Sequence, residues 1–259
     1  MNIDQLIEEY GRTMPPEAKP AYFRLHHYRF RDLLRALPPT PARILEIGTT
    51  PGTFTGILRR AGYEVAGVDL FPEGRAELWQ RLGVEVKFCN LDEQAIPYPD
   101  ESFDAVVFSE VIEHLAGSPL KPLGEMARVL RSGGRIVIST PNQFYFKSRM
   151  KTLGDVLLAR PFESFSEFTR SMQLDGPQRY YNHSRLYTMP ELRWMLEQAG
   201  FGVAREHFGD AWERVGIERG RIVRHPLRVG TKAALWLLTT LRPRWRSMLL
   251  IIGIKAESK

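Results

Sequence analysis

The residues best placed to do chemistry are two carboxylates and an imidazole within five positions: Glu110, Glu113 and His114. If the stretch Ser109-Glu110-Val111-Ile112-Glu113-His114-Leu115 turns as a helix, the three share one face at i, i+3 and i+4. Like charges aimed at one point are costly unless a cation or a proton lies between them. Two oxygens and a nitrogen suit Mg²⁺, Mn²⁺ or Fe²⁺ better than structural Zn²⁺, which prefers thiolates and imidazoles. His183, in Tyr181-Asn182-His183-Ser184-Arg185, is available as a fourth ligand. Three readings stay open: a divalent metal on Glu110, Glu113, His114 and His183; His114 as a general base without metal; or a structural role, with Glu113 capping or pairing locally.

A second constellation lies upstream, in Ile44-Leu45-Glu46-Ile47-Gly48-Thr49-Thr50-Pro51-Gly52-Thr53. Glycines between a strand and a helix let a ligand approach the backbone, and the helix N-terminus offers free N–H groups. A dinucleotide fingerprint needs glycine at positions 48, 50 and 53. Thr50 and Thr53 break it, so a nicotinamide oxidoreductase would require a glycine spacing that this loop lacks. Thr50-Pro51 reads as an N-cap followed by proline at the first helical position.

With an acidic residue followed by glycines two and six positions on, the loop resembles the first motif of class I S-adenosylmethionine-dependent methyltransferases; Thr50 stands where that motif has its middle glycine. The resemblance extends over residues 43–140, and more weakly to 207. Asp69 ends the second strand, where the family clasps the ribose diol. Asn90-Leu91-Asp92 follows the third, where it sets a polar residue against adenine, here Asp92 in preference to Asn90. By this resemblance Glu46, Gly48, Thr50, Gly52, Asp69, Asp92 and Ser109 hold the cofactor. The Glu-x-x-Glu-His stretch is similar to that of small-RNA 2′-O-methyltransferases and ubiquinone-pathway O-methyltransferases. There it binds a divalent ion, joined in the RNA enzymes by a later histidine, which corresponds here to His183. Methyl transfer is an in-line displacement, so the protein must align the acceptor and make it nucleophilic. The Asn-Pro-Pro-Tyr or Asp-Pro-Pro-Tyr signature of nucleobase amino methylation is missing, which points to oxygen. The expected acceptor is a hydroxyl of a small molecule, sugar or glycan, with a quinone, phenol or RNA ribose as alternatives. A non-catalytic cofactor-binding scaffold is the reading from another class.

The elements that must position these residues follow from hydrophobic pattern. Short apolar runs at 44–47, 65–68, 84–88, 103–108 and 135–139 alternate with helical spacing at 52–61, 73–82 and 120–130, the last stopped by Gly133-Gly134. Thr188 with Glu191 makes a capping box for a helix that Gly200 ends. Strands at 201–207 and 248–256 complete the set, with an amphipathic helix near 231–241 between them. The alternation predicts an α/β, Rossmann-like methyltransferase fold: a mostly parallel seven-stranded sheet with an antiparallel last strand and helices on both faces. The expected organisation is an N-terminal helical cap, 1–40, and a methyltransferase domain, 41–259, with a lid-like insertion at 142–182. Tyr10, Tyr22, Phe23, His26, His27, Tyr28 and Phe30 in the cap read as acceptor walls or as core. The adjacent His26-His27 pair lacks acidic companions and is a weak ligand pair.

At 259 residues, 43% apolar and 25% charged, the chain has the composition of a globular protein able to bury its own core, not of a disordered or fibrous one. The lone Cys89 can close no intrachain disulfide, and neither a leader nor a membrane-length apolar run is evident, so a soluble, cytoplasmic protein is expected. The net charge of +6 is local: between Arg214 and Arg246 nine basic residues face Glu218 alone. That basic amphipathic segment, 214–246, suits a membrane surface, with Leu235, Trp236, Leu238 and Leu241 between the cations. Nucleic acid is a weaker candidate partner, and simple packing with solvated arginines explains the segment equally well.

Overall fold

Continuous Ile/Val/Leu runs survive only where a strand is covered on both faces, and these runs form the centre of one sheet. In the computed structural model, which describes residues 2–161, 168–169, 172, 182–215 and 226–257, the strands are β1 (Arg43–Ile47), β2 (Glu64–Asp69), β3 (Glu85–Phe88), β4 (Phe103–Ser109), β5 (Leu130–Pro141), β6 (Phe201–Gly209) and β7 (Met248–Lys255). Their order is β3-β2-β1-β4-β5-β7-β6. Among the described strands β7 alone runs antiparallel, inserted between β5 and β6. The expected Rossmann-like sheet with its antiparallel last strand is therefore present.

Helices α1 (Ile3–Thr13), α2 (Pro20–Ala36) and α3 (Thr53–Arg60) cover one face. Leu6, Ile7, Phe30, Leu33, Phe54 and Ile57 pack there against Ile44, Val107, Val137 and Ile252. On this face the first forty residues share the core of the rest of the chain, and Tyr10, His26 and Phe30 are buried in it. Helices α4 (Ala76–Leu82), α5 (Leu120–Val129), α6 (Phe146–Leu157), α7 (Met189–Gln198) and α8 (Pro226–Leu241) follow in turn. Of these, α5 and α7 bury Leu123, Met126, Leu192 and Leu196 on the opposite face of the sheet.

Several local expectations are corrected. α3 begins at Thr53 behind Gly52, which has φ +87°, so the Thr50-Pro51 pair lies in the loop and caps nothing. α5 stops at Val129, not at the glycine pair. Residues 131–134 bulge out of β5, since Leu130 pairs with Phe103 and Arg135 already with Ala105; Gly133 turns at φ +69° inside that bulge. The helix expected at 73–82 splits into a 3-10 turn, Pro72–Arg75, and α4. The capping box at Thr188 and Glu191 forms as expected. Phe162, Phe165, Tyr180 and Tyr181 of the insertion, and Arg219, Arg221 and Arg224 of the basic segment, lie outside the described residues. No helix among those described is long and apolar enough to cross a membrane.

Candidate active site

The carboxyl ends of β1, β2, β3 and β4 open onto one crevice, the place where sheets of this kind bind ligands. Gly48 makes it possible. Its φ is +73°, and a Cβ there would lie 2.5 Å from Val111 Cγ2. The turn is tied down by Gly48 N–H donating to the Val68 carbonyl, 2.9 Å, and Gly52 N–H donating to that of Thr49, 2.6 Å. Thr50 keeps a negative φ, so this turn needs no middle glycine.

Two chambers share Gly48, Thr50 and Val111 as a wall. The outer, of about 450 Å³, is lined by Ile47, Val68, Asp69, Leu91, Asp92 and His114, among others. Asp69 lines it: one carboxylate oxygen accepts from Thr50 N–H at 2.8 Å and the other from Phe71 N–H at 3.0 Å. Beyond it, Asp92 accepts from Ala116 and Gly117 N–H at 3.1 and 2.8 Å, while Asn90 Oδ1 accepts from Asp92 N–H at 3.2 Å. Both Asn90 and Asp92 line this chamber, and Asp92 holds the wall together while facing it.

The inner chamber, of about 130 Å³, is lined by Tyr22, Arg29, Glu46, Ser109 and Glu110. Glu46, buried in β1, accepts from Thr55 Oγ1 at 2.6 Å, and burial pushes its carboxyl up to about 8. Ser109 Oγ hydrogen-bonds Ser139 Oγ at 2.8 Å. Arg29 is 5% exposed, donates to Tyr22 OH at 2.7 Å and pairs with Glu110 at 3.0 Å. Arg29 escaped the sequence reading. Its signal was there: an arginine beside His26, Phe30 and Leu33 on the buried stripe of α2.

Glu110 corrects the expected metal set. The backbone at 110 is not helical but left-handed, φ +56°, and the helical turn begins only at Ile112–His114. The carboxylate is directed to Arg29 instead, because a buried guanidinium offers the compensation that burial demands. Its second oxygen, Oε1, is buried without a partner. The other three residues do converge, with ligand atoms of Glu113, His114 and His183 all within 4.8 Å of one another. Glu113 is 1% exposed and accepts from Thr140 Oγ1 at 2.9 Å; burial and the Glu110 charge push it up to about 8. Ser184 N–H donates to the Glu113 carbonyl at 2.7 Å, which brings the 182–187 segment over the turn. His114 Nδ1 donates to the Asn182 carbonyl at 3.1 Å. Burial lowers the His114 pKa, so the ring is neutral with its Nε2 lone pair free to accept.

The donor set fits S-adenosylmethionine. An acceptor carboxylate in the wall suits a diol, the aliphatic walls of the outer chamber suit a purine, and a buried cation beside an unsatisfied carboxylate oxygen suits a zwitterion. Comparison with known proteins agrees. A family described as a methyltransferase domain matches residues 22–206. A demethylmenaquinone methyltransferase of Thermus thermophilus is 31% identical over 209 residues, 71% of this chain and 89% of the relative. A ubiquinone biosynthesis O-methyltransferase of a Ruegeria species is 31% identical over 174 residues, 66% of this chain and 64% of the relative. Among solved structures, a methyltransferase in complex with the Haloferax volcanii Trm112 activator superposes with TM-score 0.62 at 18% identity, covering 97% of this chain and 98% of that one. The [4+2]-cyclase SpnF does so with TM-score 0.55 at 17% identity, covering 90% and 82%. Shared fold thus leaves the chemistry open, and the sequence relatives decide it: the chain belongs to the class I S-adenosylmethionine-dependent methyltransferases.

Proposed function

We propose that this methyltransferase acts on a hydroxyl of a small aromatic acceptor of the quinone-precursor type, with His114 as the base. The observation that carries the reading is His114 itself. It lines the outer chamber, its Nδ1 is held by the Asn182 carbonyl, and its lowered pKa keeps Nε2 able to take a proton. The names of the sequence relatives favour the quinone acceptor over the sugar or glycan put first from sequence alone. Bound S-adenosylmethionine supplies an activated methyl group. The protein's own part is to hold the cofactor's ribose at Asp69, its base between Ile47, Leu91 and Asn90/Asp92, and its amino-acid end between Arg29 and Glu110. His114 then takes the proton from the acceptor hydroxyl.

The convergence of Glu113, His114 and His183 supports a second version, in which these three would hold a divalent cation and the cation would supply Lewis-acid activation of the acceptor hydroxyl. Assay of labelled methyl transfer to a panel of catechols, hydroquinones and glycosides tests the acceptor; turnover of glycosides alone would overturn the quinone reading. In the same assay His114→Ala is expected to lower kcat by about 10²–10⁴-fold with S-adenosylhomocysteine affinity retained. Full turnover in excess chelator separates base from metal: it supports the base and removes the ion.

A further inference from the structure

Away from the crevice, the surface carries apolar side chains that nothing among the described residues covers. α6 has no buried residue at all. Phe146, Met150, Leu153 and Leu157 recur along it at helical spacing and form one stripe; Met150, Leu153 and Leu157 are 48%, 49% and 75% exposed. Lys147, Arg149 and Lys151 stand exposed beside that stripe. α8 repeats the pattern. One side packs inward through Val229 and Thr239, with Trp236 Nε1 donating to Asp210 at 2.9 Å. The other leaves Leu237 and Leu241 open, followed by exposed Arg242 and Arg244.

The start of α6 meets the turn that follows α8, Pro243–Trp245. Phe146 stacks on Trp245, ring centroids 5.3 Å apart, and Asn142 Nδ2 donates to the carbonyls of Arg244 and Arg246 at 2.9 and 2.7 Å. The root of α6 and the turn after α8 are therefore joined. Its charge is one-sided: residues 143–160 hold four basic side chains and a single acid, Asp155, and residues 226–246 hold five basic side chains and no acid.

We infer that α6 and the C-terminal part of α8, joined at Phe146 and Trp245, form a docking surface for an anionic lipid bilayer. An apolar stripe edged by cations is what an interfacial helix presents: the stripe enters the acyl boundary and the cations meet lipid phosphates. Nucleic acid would satisfy the arginines but leave Leu153, Leu157 and Leu241 in water. α6 leaves the sheet at the carboxyl end of β5, the end of the sheet on which the crevice opens. The inference does not depend on which acceptor is methylated.

Cosedimentation of the full chain with vesicles tests it. Vesicles of equal phosphatidylglycerol and phosphatidylcholine should bind about tenfold or more tightly than phosphatidylcholine alone, and binding should weaken as salt rises. Leu153→Glu with Leu157→Glu should abolish binding, and Arg242→Ala with Arg244→Ala should weaken it several-fold. Both pairs should keep wild-type affinity for S-adenosylhomocysteine, which shows that they fold. Equal binding to both vesicles, or binding that survives the two glutamates, would overturn the inference. So would a dimer in light scattering that the same glutamates dissolve, since the face would then join copies of this chain. A DNA duplex that binds tighter than the anionic vesicles would overturn it as well.

Discussion

Two buried carboxylates, Glu46 and Glu113, and the half-buried Glu110 lie in the region served by the Arg29 guanidinium. Burial raises all three, and Glu46 and Glu113, at about 8, are largely neutral at neutral pH. Arg29 pairs with Glu110 at 3.0 Å and lines the inner chamber, where a ligand's own carboxylate can reach it. A charge-assisted hydrogen bond of this kind contributes about 1.5–3 kcal/mol, so Arg29→Met should weaken S-adenosylhomocysteine binding roughly ten- to hundredfold. Adenosine, which lacks the amino-acid end, should bind the variant and the wild type alike. Calorimetry with both ligands checks this, and an equal loss for the two would place Arg29 outside cofactor recognition. These charges were unevenly legible. Asp69, Glu113 and His114 could be found because strand ends and short spacings are local properties of a chain. The Arg29–Glu110 pair joins residues from opposite ends of that region, and no spacing rule connects them.

At the scale of elements, the turn after β1 is the part most exposed to a single methyl group. Gly48→Ala would force a left-handed alanine, about 1–2 kcal/mol, and an overlap with Val111 of the sort that costs about 1–3 kcal/mol. Affinity for S-adenosylhomocysteine should fall at least about tenfold by these figures. Adding Val111→Ala should recover only the overlap, leaving the backbone part of the loss in a titration of the double variant. The strands were readable from their apolar runs, since β1, β4 and β7 are buried along nearly their whole length. What failed were statements about joints. Gly133-Gly134 has the composition of a helix stop, yet the pairing of Leu130 with Phe103 makes it a bulge. Glu110 was placed on a helical face by its spacing, and its left-handed backbone takes it off that face. Both outcomes are decided by a partner strand or a distant charge rather than by neighbours in sequence.

For the whole molecule, acid stability is set in part by His26. Its ring packs tilted against Tyr22, centroids 4.0 Å apart, and meets the edge of Trp212 at 5.0 Å; burial, helped by the Arg29 charge, pushes its pKa down to about 3. Below the unfolded value of about 6.5, the unfolded chain takes up a proton that the folded chain refuses, so stability drops as pH falls. The slope from this residue is at most about 1.4 kcal/mol per pH unit. In urea titrations between pH 7 and pH 5, His26→Phe should therefore lose less stability than wild type, by roughly 1–2 kcal/mol; parallel curves would mean that the imidazole is charged when folded. The order of the sheet has a consequence during synthesis. Among the described residues β6 pairs with β7 alone, and β7 also covers the edge of β5. A ribosome delivers β6 first, and at about 5–20 residues per second several seconds pass before β7 emerges. Throughout that interval the nascent protein carries two bare strand edges, so a message cut short there would yield an aggregating fragment rather than a trimmed enzyme.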